Sequence, residues 1–148
     1  MEIARNNTKI KVLVIITNTK DEFLLLKEKT KHTPEPRYNF IRGTYDIPGE
    51  VLINTAKREC NEEAGIDEFE HFELEGIREF YGTEKTRIYY IYRAHTLKDP
   101  IVPCRTKQAK LHEDISCCEW MSKGRILSLE ESDFVDPIVY SITQSILK

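Results

Sequence analysis

The sequence predicts a single α/β domain covering residues 1–148, and three observations lead to that prediction. Residues 9–18, "KIKVLVIITN", form a run dense in β-branched residues, which is typical of a buried strand. The segment Leu52–Ala64 repeats its small and apolar residues at helical spacing, and so does "DPIVYSITQSIL" near the end of the chain. A chain of 148 residues can bury one hydrophobic core but is short for two domains.

The first elements are predicted to be a hairpin followed by a long loop. The run "EFLLLKEK" follows the β-branched run after the turn-like "TNTKD", so the two runs are expected to pair as buried strands. Residues 29–45 are polar and contain Pro34 and Pro36, which favours a loop. Loops of that length in a compact domain are often functional.

The first predicted helix covers Leu52–Ala64. Ile53, Ala56, Cys60 and Ala64 fall within a narrow arc when each residue is turned by about 100°, so this arc should face the core. Gly65 follows at a position where helices often end in the left-handed conformation.

The second half of the chain is predicted to add strands and a closing helix. Residues 71–82 and 86–96 have the composition of two strands joined by a turn near Gly82, and residues 115–121 of another short strand. Asp136 and Pro137 are typical of the N-cap and first position of a helix.

Composition excludes several classes of function. The formal net charge of -3 and the pI near 5.9 give no broad basic field, so duplex nucleic acid is not an expected partner. The chain has no stretch long enough to span a bilayer, and its start lacks the features of a signal peptide. The four cysteines contain no Cys-x-x-Cys pair and are interpreted as reduced thiols, which favours a cytoplasmic location.

Three glutamates of the predicted helix carry the strongest functional signal. Glu59, Glu62 and Glu63 project over an arc of about 100° on one face. Like charges at these spacings repel, and negative charge is unfavourable at the C-terminal end of a helix. A hard divalent cation such as Mg²⁺ or Mn²⁺ would reverse that penalty, whereas the simpler alternative is a solvated acidic face.

The wider pattern favours the metal. The stretch "GEVLINTAKRECNEEAGI", which begins at Gly49, resembles the Nudix box, G-x5-E-x7-R-E-U-x-E-E-x-G-U, where U is aliphatic. Cys60 occupies the first U position as a small apolar residue, and Thr44 stands where the box has its opening glycine, directly after Gly43. The other positions follow the pattern, namely Glu50, Arg58, Glu59, Glu62, Glu63, Gly65 and Ile66.

The resemblance implies a Nudix α/β/α sandwich with a mixed β-sheet. It further implies Mg²⁺- or Mn²⁺-dependent hydrolysis of a diphosphate linkage in a nucleoside diphosphate derivative, by water attacking a phosphorus. Glu62 and Glu63 would be the leading metal ligands, and Glu59 a further ligand or the general base.

Several roles stay open within the resemblance. Arg58 would orient the carboxylate of Glu59, while Glu50 would pair with Arg58 or join the metal shell. Family members often carry an acidic residue in a late loop, here Glu113, so Glu59, Glu62 and Glu113 are all candidates for the base.

The substrate is predicted to be a small nucleotide. Arg37 and Arg42 in the loop before the box, and Arg78 on a following strand, are the predicted phosphate contacts. Nucleoside triphosphates, nucleotide sugars, ADP-ribose and dinucleoside polyphosphates all stay open, and the family often forms homodimers. Two other classes are a Nudix-like domain that senses a nucleotide without cleaving it, and an interaction domain whose acidic face meets a basic partner.

Overall fold

The structure is a computed structural model that describes residues 7–29, 35–101 and 115–148. In these residues, seven strands form one sheet, accompanied by three α-helices and one turn of 3₁₀ helix, Glu131–Asp133. The strands are β1 (Asn7–Thr17), β2 (Glu22–Glu28), β3 (Arg37–Asn39), β4 (Ile41–Thr44), β5 (His71–Tyr81), β6 (Lys85–His95) and β7 (Ile115–Ser122). The helices are α1 (Leu52–Ala64), α2 (Lys123–Ser128) and α3 (Pro137–Leu147).

The sheet is mixed, as predicted. Its main path runs β3-β2-β1-β6-β5, with β4 added to β1 and β7 added to β2. Strands β1 and β6 are parallel over their whole length, from the pair Asn7 and Lys85 to the pair Thr17 and His95. The other pairings between described strands are antiparallel.

Two hydrophobic cores lie on opposite faces of the sheet, which confirms the predicted sandwich. Successive residues of a strand point to opposite faces, so Leu13 and Ile15 of β1 pack with α3 on one side. Val12, Val14 and Ile16 pack on the other side, with the helix α1. We call these sides the α3 face and the α1 face.

The prediction of a loop over residues 29–45 is wrong for its second half. Arg37–Asn39 forms β3 beside β2, and Ile41–Thr44 forms β4 beside β1. These strands have three and four residues, too few for an alternating pattern to emerge from the polar sequence around them. The predicted hairpin is present only at its turn, where Thr17 pairs with Phe23.

Both predicted helix boundaries are confirmed. Helix α1 ends at Gly65 with φ of 65°, and its amide donates to the carbonyl of Asn61. The side chain of Asp136 caps α3 by accepting a hydrogen bond from the amide of Val139 at 3.0 Å. The helix α2 is not predicted from the sequence. Within the described part of the chain, no helix combines the length and apolar character needed to cross a bilayer.

Candidate metal-binding and catalytic site

Arg58 is the centre of the candidate site. Its Nε lies 3.1 Å from Glu50, and its Nη1 lies 3.2 Å from both carboxylate oxygens of Glu62 and 3.3 Å from Glu59. The hydroxyl of Thr55 donates a further bond of 2.6 Å to Glu50. These hydrogen bonds, first from Arg58 and then from Thr55, lower the pKa of Glu50. One guanidinium therefore holds three carboxylates together, as a planar fork of donors can.

Glu59 occupies the most enclosed part of this cluster. Glu59 is 8% exposed, and its side chain lies against the backbone of Gly43 on β4. A Cβ atom built on Gly43 would approach the carboxyl carbon of Glu59 to 2.2 Å, which leaves room for glycine alone. Burial first, and then the charge of Glu62, raise the pKa of Glu59 to about 7 against the opposing effect of Arg58.

Glu63 lies deeper still, at 4% exposure, beside the same strand. Its Oε1 accepts a hydrogen bond of 3.4 Å from the backbone amide of Arg42. Arg42 and Gly43 of β4 therefore position two of the glutamates of α1. The helical spacing of four residues brings Glu59 and Glu63 onto the side that faces β4.

The donor set suits a hard divalent cation. Carboxylate oxygens are the ligands preferred by Mg²⁺ and Mn²⁺. Burial, and after it the charge of Glu62, disfavour the ionised form of Glu59, and a bound cation would offset both effects. In residues 7–29, 35–101 and 115–148, no three His, Cys, Asp or Glu side chains already converge as a metal site. Arg58 acts as the counter-charge in this arrangement.

The other predicted site residues lie in different places. The Arg42 side chain points to the α3 face, where it forms an ion pair of 2.7 Å with Asp136 and donates to the Tyr89 hydroxyl at 3.4 Å. Arg37 lines an open cavity of about 620 Å³ together with Asp136.

The remaining two predicted residues are not part of this region. Arg78 donates a hydrogen bond of 2.6 Å to Ser145, at the far end of α3 from Asp136. Glu113 lies outside the described residues.

Three of these contacts are beyond sequence reasoning. Each contact joins a predicted site residue to a residue that the sequence did not single out as functional. The contacts are the approach of Gly43 to Glu59, the hydrogen bond from Thr55 to Glu50 and the ion pair between Arg42 and Asp136. The one available signal was Gly43 itself, the glycine that precedes the substituted box position.

The raised pKa of Glu59 predicts how stability should vary with pH. The unfolded chain releases this proton near the ordinary glutamate pKa, whereas the folded protein keeps it until about pH 7. The folded state therefore binds more protons in between, and the free energy of unfolding of the metal-free protein should fall by about 2 kcal/mol from about pH 5 to about pH 7.5. Urea unfolding of the wild type and Glu59→Gln at several pH values measures this slope. The variant should show a flatter slope, and equal slopes would contradict the assignment to Glu59.

Comparison with known proteins gives consistent matches. A family model described as the NUDIX domain matches residues 7–140. The MutT protein from Methanosarcina mazei Go1 is similar in structure, with a TM-score of 0.71 and 25% identity over 97% of this chain and 94% of that chain. No match was found among curated proteins.

Two further solved structures share the fold. A Nudix hydrolase from Nitrosomonas europaea has a TM-score of 0.71 and 23% identity, over 95% of this chain and 87% of that chain. The NUDIX domain of Shewanella oneidensis NrtR, solved with ADP ribose, has a TM-score of 0.72 and 13% identity over the same shares.

Proposed function

The chain belongs to the Nudix hydrolase family, and from this premise we propose that it hydrolyses a diphosphate linkage in a nucleoside diphosphate derivative with the help of Mg²⁺ or Mn²⁺. One observation carries the proposal. Glu59, Glu62 and Glu63 occupy one end of α1 with Arg58 among them, and two of the three are almost fully buried. Such a concentration of carboxylates is unfavourable unless a cation or a proton compensates it.

The residues divide the work by position. Glu63 and Glu62 would supply the principal metal ligands, and Glu59 would be a further ligand or the general base. A bound divalent cation would offset charge that grows on the diphosphate oxygens and lower the pKa of the attacking water. Arg58, held by Glu50, would fix the orientation of Glu59 and Glu62.

Glu59 is the favoured proton acceptor among the three candidates. A general base works best when its pKa lies near the working pH, and in the metal-free protein the pKa of Glu59 is raised to about 7. Its contact with Gly43 also holds the carboxyl group in a defined place. Glu62 and Glu113 remain the alternatives.

The nucleoside part of the substrate has a suitable cavity on the α3 face. The open cavity of about 620 Å³ is within the size range of ligand pockets, and Arg37, Phe134 and Pro137 line it. Its wall includes Asp136, which the Arg42 side chain contacts. Both Arg37 and Arg42 thus support a substrate site here, whereas Arg78 is hydrogen-bonded to Ser145 at the other end of α3.

The ADP ribose bound by the Shewanella domain makes ADP-ribose one substrate to test.

The experiment is a product-resolved hydrolysis screen. It covers nucleoside triphosphates, nucleotide sugars, ADP-ribose and dinucleoside polyphosphates, each with Mg²⁺, with Mn²⁺ and with a chelator. We expect cleavage of at least one class that requires the metal and falls at least about 100-fold in Glu62→Gln. Glu84→Gln is the matched control, because Glu84 is exposed in the turn before β6. Equal turnover in both variants would contradict the proposed site.

A nucleotide sensor is the second candidate. It is favoured by Thr44, which replaces the opening glycine of the box, and by Arg42, which replaces the proline of the usual Pro-Gly-Gly approach to the box. Tight nucleotide binding without any product, with metal supplied and the protein folded, would favour the sensor over the hydrolase.

The described cysteines are free, which fits the proposed cytoplasmic location.

A further inference from the structure

Lys11 is a half-buried cation on the α3 face, and its partner is a hydroxyl. Its Nζ donates a hydrogen bond of 2.7 Å to Oγ1 of Thr44, the residue that replaces the opening glycine of the box. The pair is fixed by strand register, since Lys11 of β1 lies opposite Thr44 of β4. Glycine at this position would give the ammonium no side-chain acceptor. The departure from the family motif therefore has a structural counterpart 33 residues earlier in the chain.

Lys11 lies within a group of positive charges. Lys9 pairs with Arg87 of β6, so Lys9, Lys11 and Arg87 point to the same face. Burial lowers the pKa of Lys11 first, repulsion from Arg42, Arg87 and Lys9 lowers it further, and the charge of Glu59 opposes these effects to a smaller extent. Among the described residues, no carboxylate forms an ion pair with Lys11 or Arg87. Arg42 is already paired with Asp136, so the excess positive charge resides on Lys11 and Arg87.

This positive group adjoins the carboxylate cluster across one short strand. Gly43 faces the α1 face and touches Glu59, whereas Thr44, the next residue, faces the α3 face and binds Lys11. Among the described residues, strand β4 pairs with β1 alone, and no described strand borders its other edge. A polyphosphate chain can therefore extend around this edge from the carboxylates to Lys11.

We propose that Lys11, oriented by Thr44, and Arg87 form a phosphate subsite that selects substrates carrying a phosphate beyond the cleaved linkage. The inference rests on the proposed function for the position of that linkage. It favours nucleoside triphosphates and dinucleoside polyphosphates over nucleotide sugars and ADP-ribose, which lack an additional phosphate. An anion between two cations that have no carboxylate partner among the described residues would offset their mutual repulsion, and charge-assisted hydrogen bonds are stronger than those between neutral groups.

The first test measures binding without turnover. Calorimetric titration of metal-stripped protein with tripolyphosphate should give a Kd about 10-fold weaker in Lys11→Met than in the wild type. Lys20→Met is the matched control, because Lys20 is exposed in the turn between β1 and β2 and should leave the Kd unchanged. Thr44→Val keeps the side-chain shape without the acceptor and should weaken binding to a smaller extent. An unchanged Kd in Lys11→Met, or equal weakening of a phosphate-free nucleoside, would overturn the subsite.

The second test uses turnover to separate this subsite from the function itself. For Lys11→Met, the ratio of kcat/KM for a nucleoside triphosphate to that for a nucleotide sugar should fall about 10-fold, mainly through KM. Hydrolysis with an unchanged ratio would refute the subsite and keep the hydrolase. Lys11-dependent binding of tripolyphosphate with no hydrolysis of any substrate would refute the hydrolase and keep the subsite.

Discussion

Glu63→Gln is expected to lower metal-dependent turnover by about two to three orders of magnitude while leaving the fold intact. The glutamine carbonyl can still accept the bond from the Arg42 amide, so the variant removes a negative charge without removing the contact to β4. Because Glu63 is 4% exposed, water cannot replace a lost carboxylate ligand at low cost.

Three measurements make the result specific. Calorimetric titration with Mn²⁺ should show weaker binding in Glu63→Gln and unchanged binding in Glu84→Gln. Urea unfolding of the metal-free protein should show Glu63→Gln at least as stable as the wild type, since one of several crowded negative charges is gone. Turnover near the wild-type level, with normal metal dependence, would exclude Glu63 from the metal site.

Gly43→Ala is expected to reduce turnover about 100-fold, because the added methyl group would displace the Glu59 side chain from its position. The new Cβ would lie 2.2 to 2.5 Å from three atoms of Glu59, so Glu59 must rotate away or β4 must shift. Overpacking of this kind costs about 1–3 kcal/mol. The backbone of Gly43 is not in the left-handed region, so alanine adds the steric contact without backbone strain.

The displacement has a second signature. Once Glu59 leaves its enclosed position, its pKa should return toward the ordinary value, and the loss of stability between about pH 5 and about pH 7.5 should diminish. Gly76→Ala is the matched control, because a Cβ there meets nothing within 4 Å. Equal turnover in Gly43→Ala and the wild type would show that the position of Glu59 is not required.

The sequence predicts the frame of this molecule because its longer elements carry strong local signals. Helix α1 has a small and apolar face and ends at Gly65, while α3 begins with Asp136 and Pro137. Strands β3 and β4 have no comparable signal. They are short and polar. Their place depends on hydrogen bonds to β1 and β2, which a local sequence pattern does not reveal.

The same limit applies to the site. Spacing alone brings Arg58, Glu59, Glu62 and Glu63 to one end of α1, because a helix fixes the geometry of residues three and four apart. The contacts of Gly43 with Glu59 and of Lys11 with Thr44 instead require the register of β4 on β1. Register is a tertiary property, and no motif in this chain encodes it locally.

Strand β4 also constrains how this segment can change during evolution. Its alternation places Gly43 toward the carboxylates and both Arg42 and Thr44 toward the opposite side. A single inserted or deleted residue between β3 and β4 would turn every side chain of the strand to the other face, and so disrupt both sides at once. We therefore expect homologous lineages to keep the length of this segment fixed.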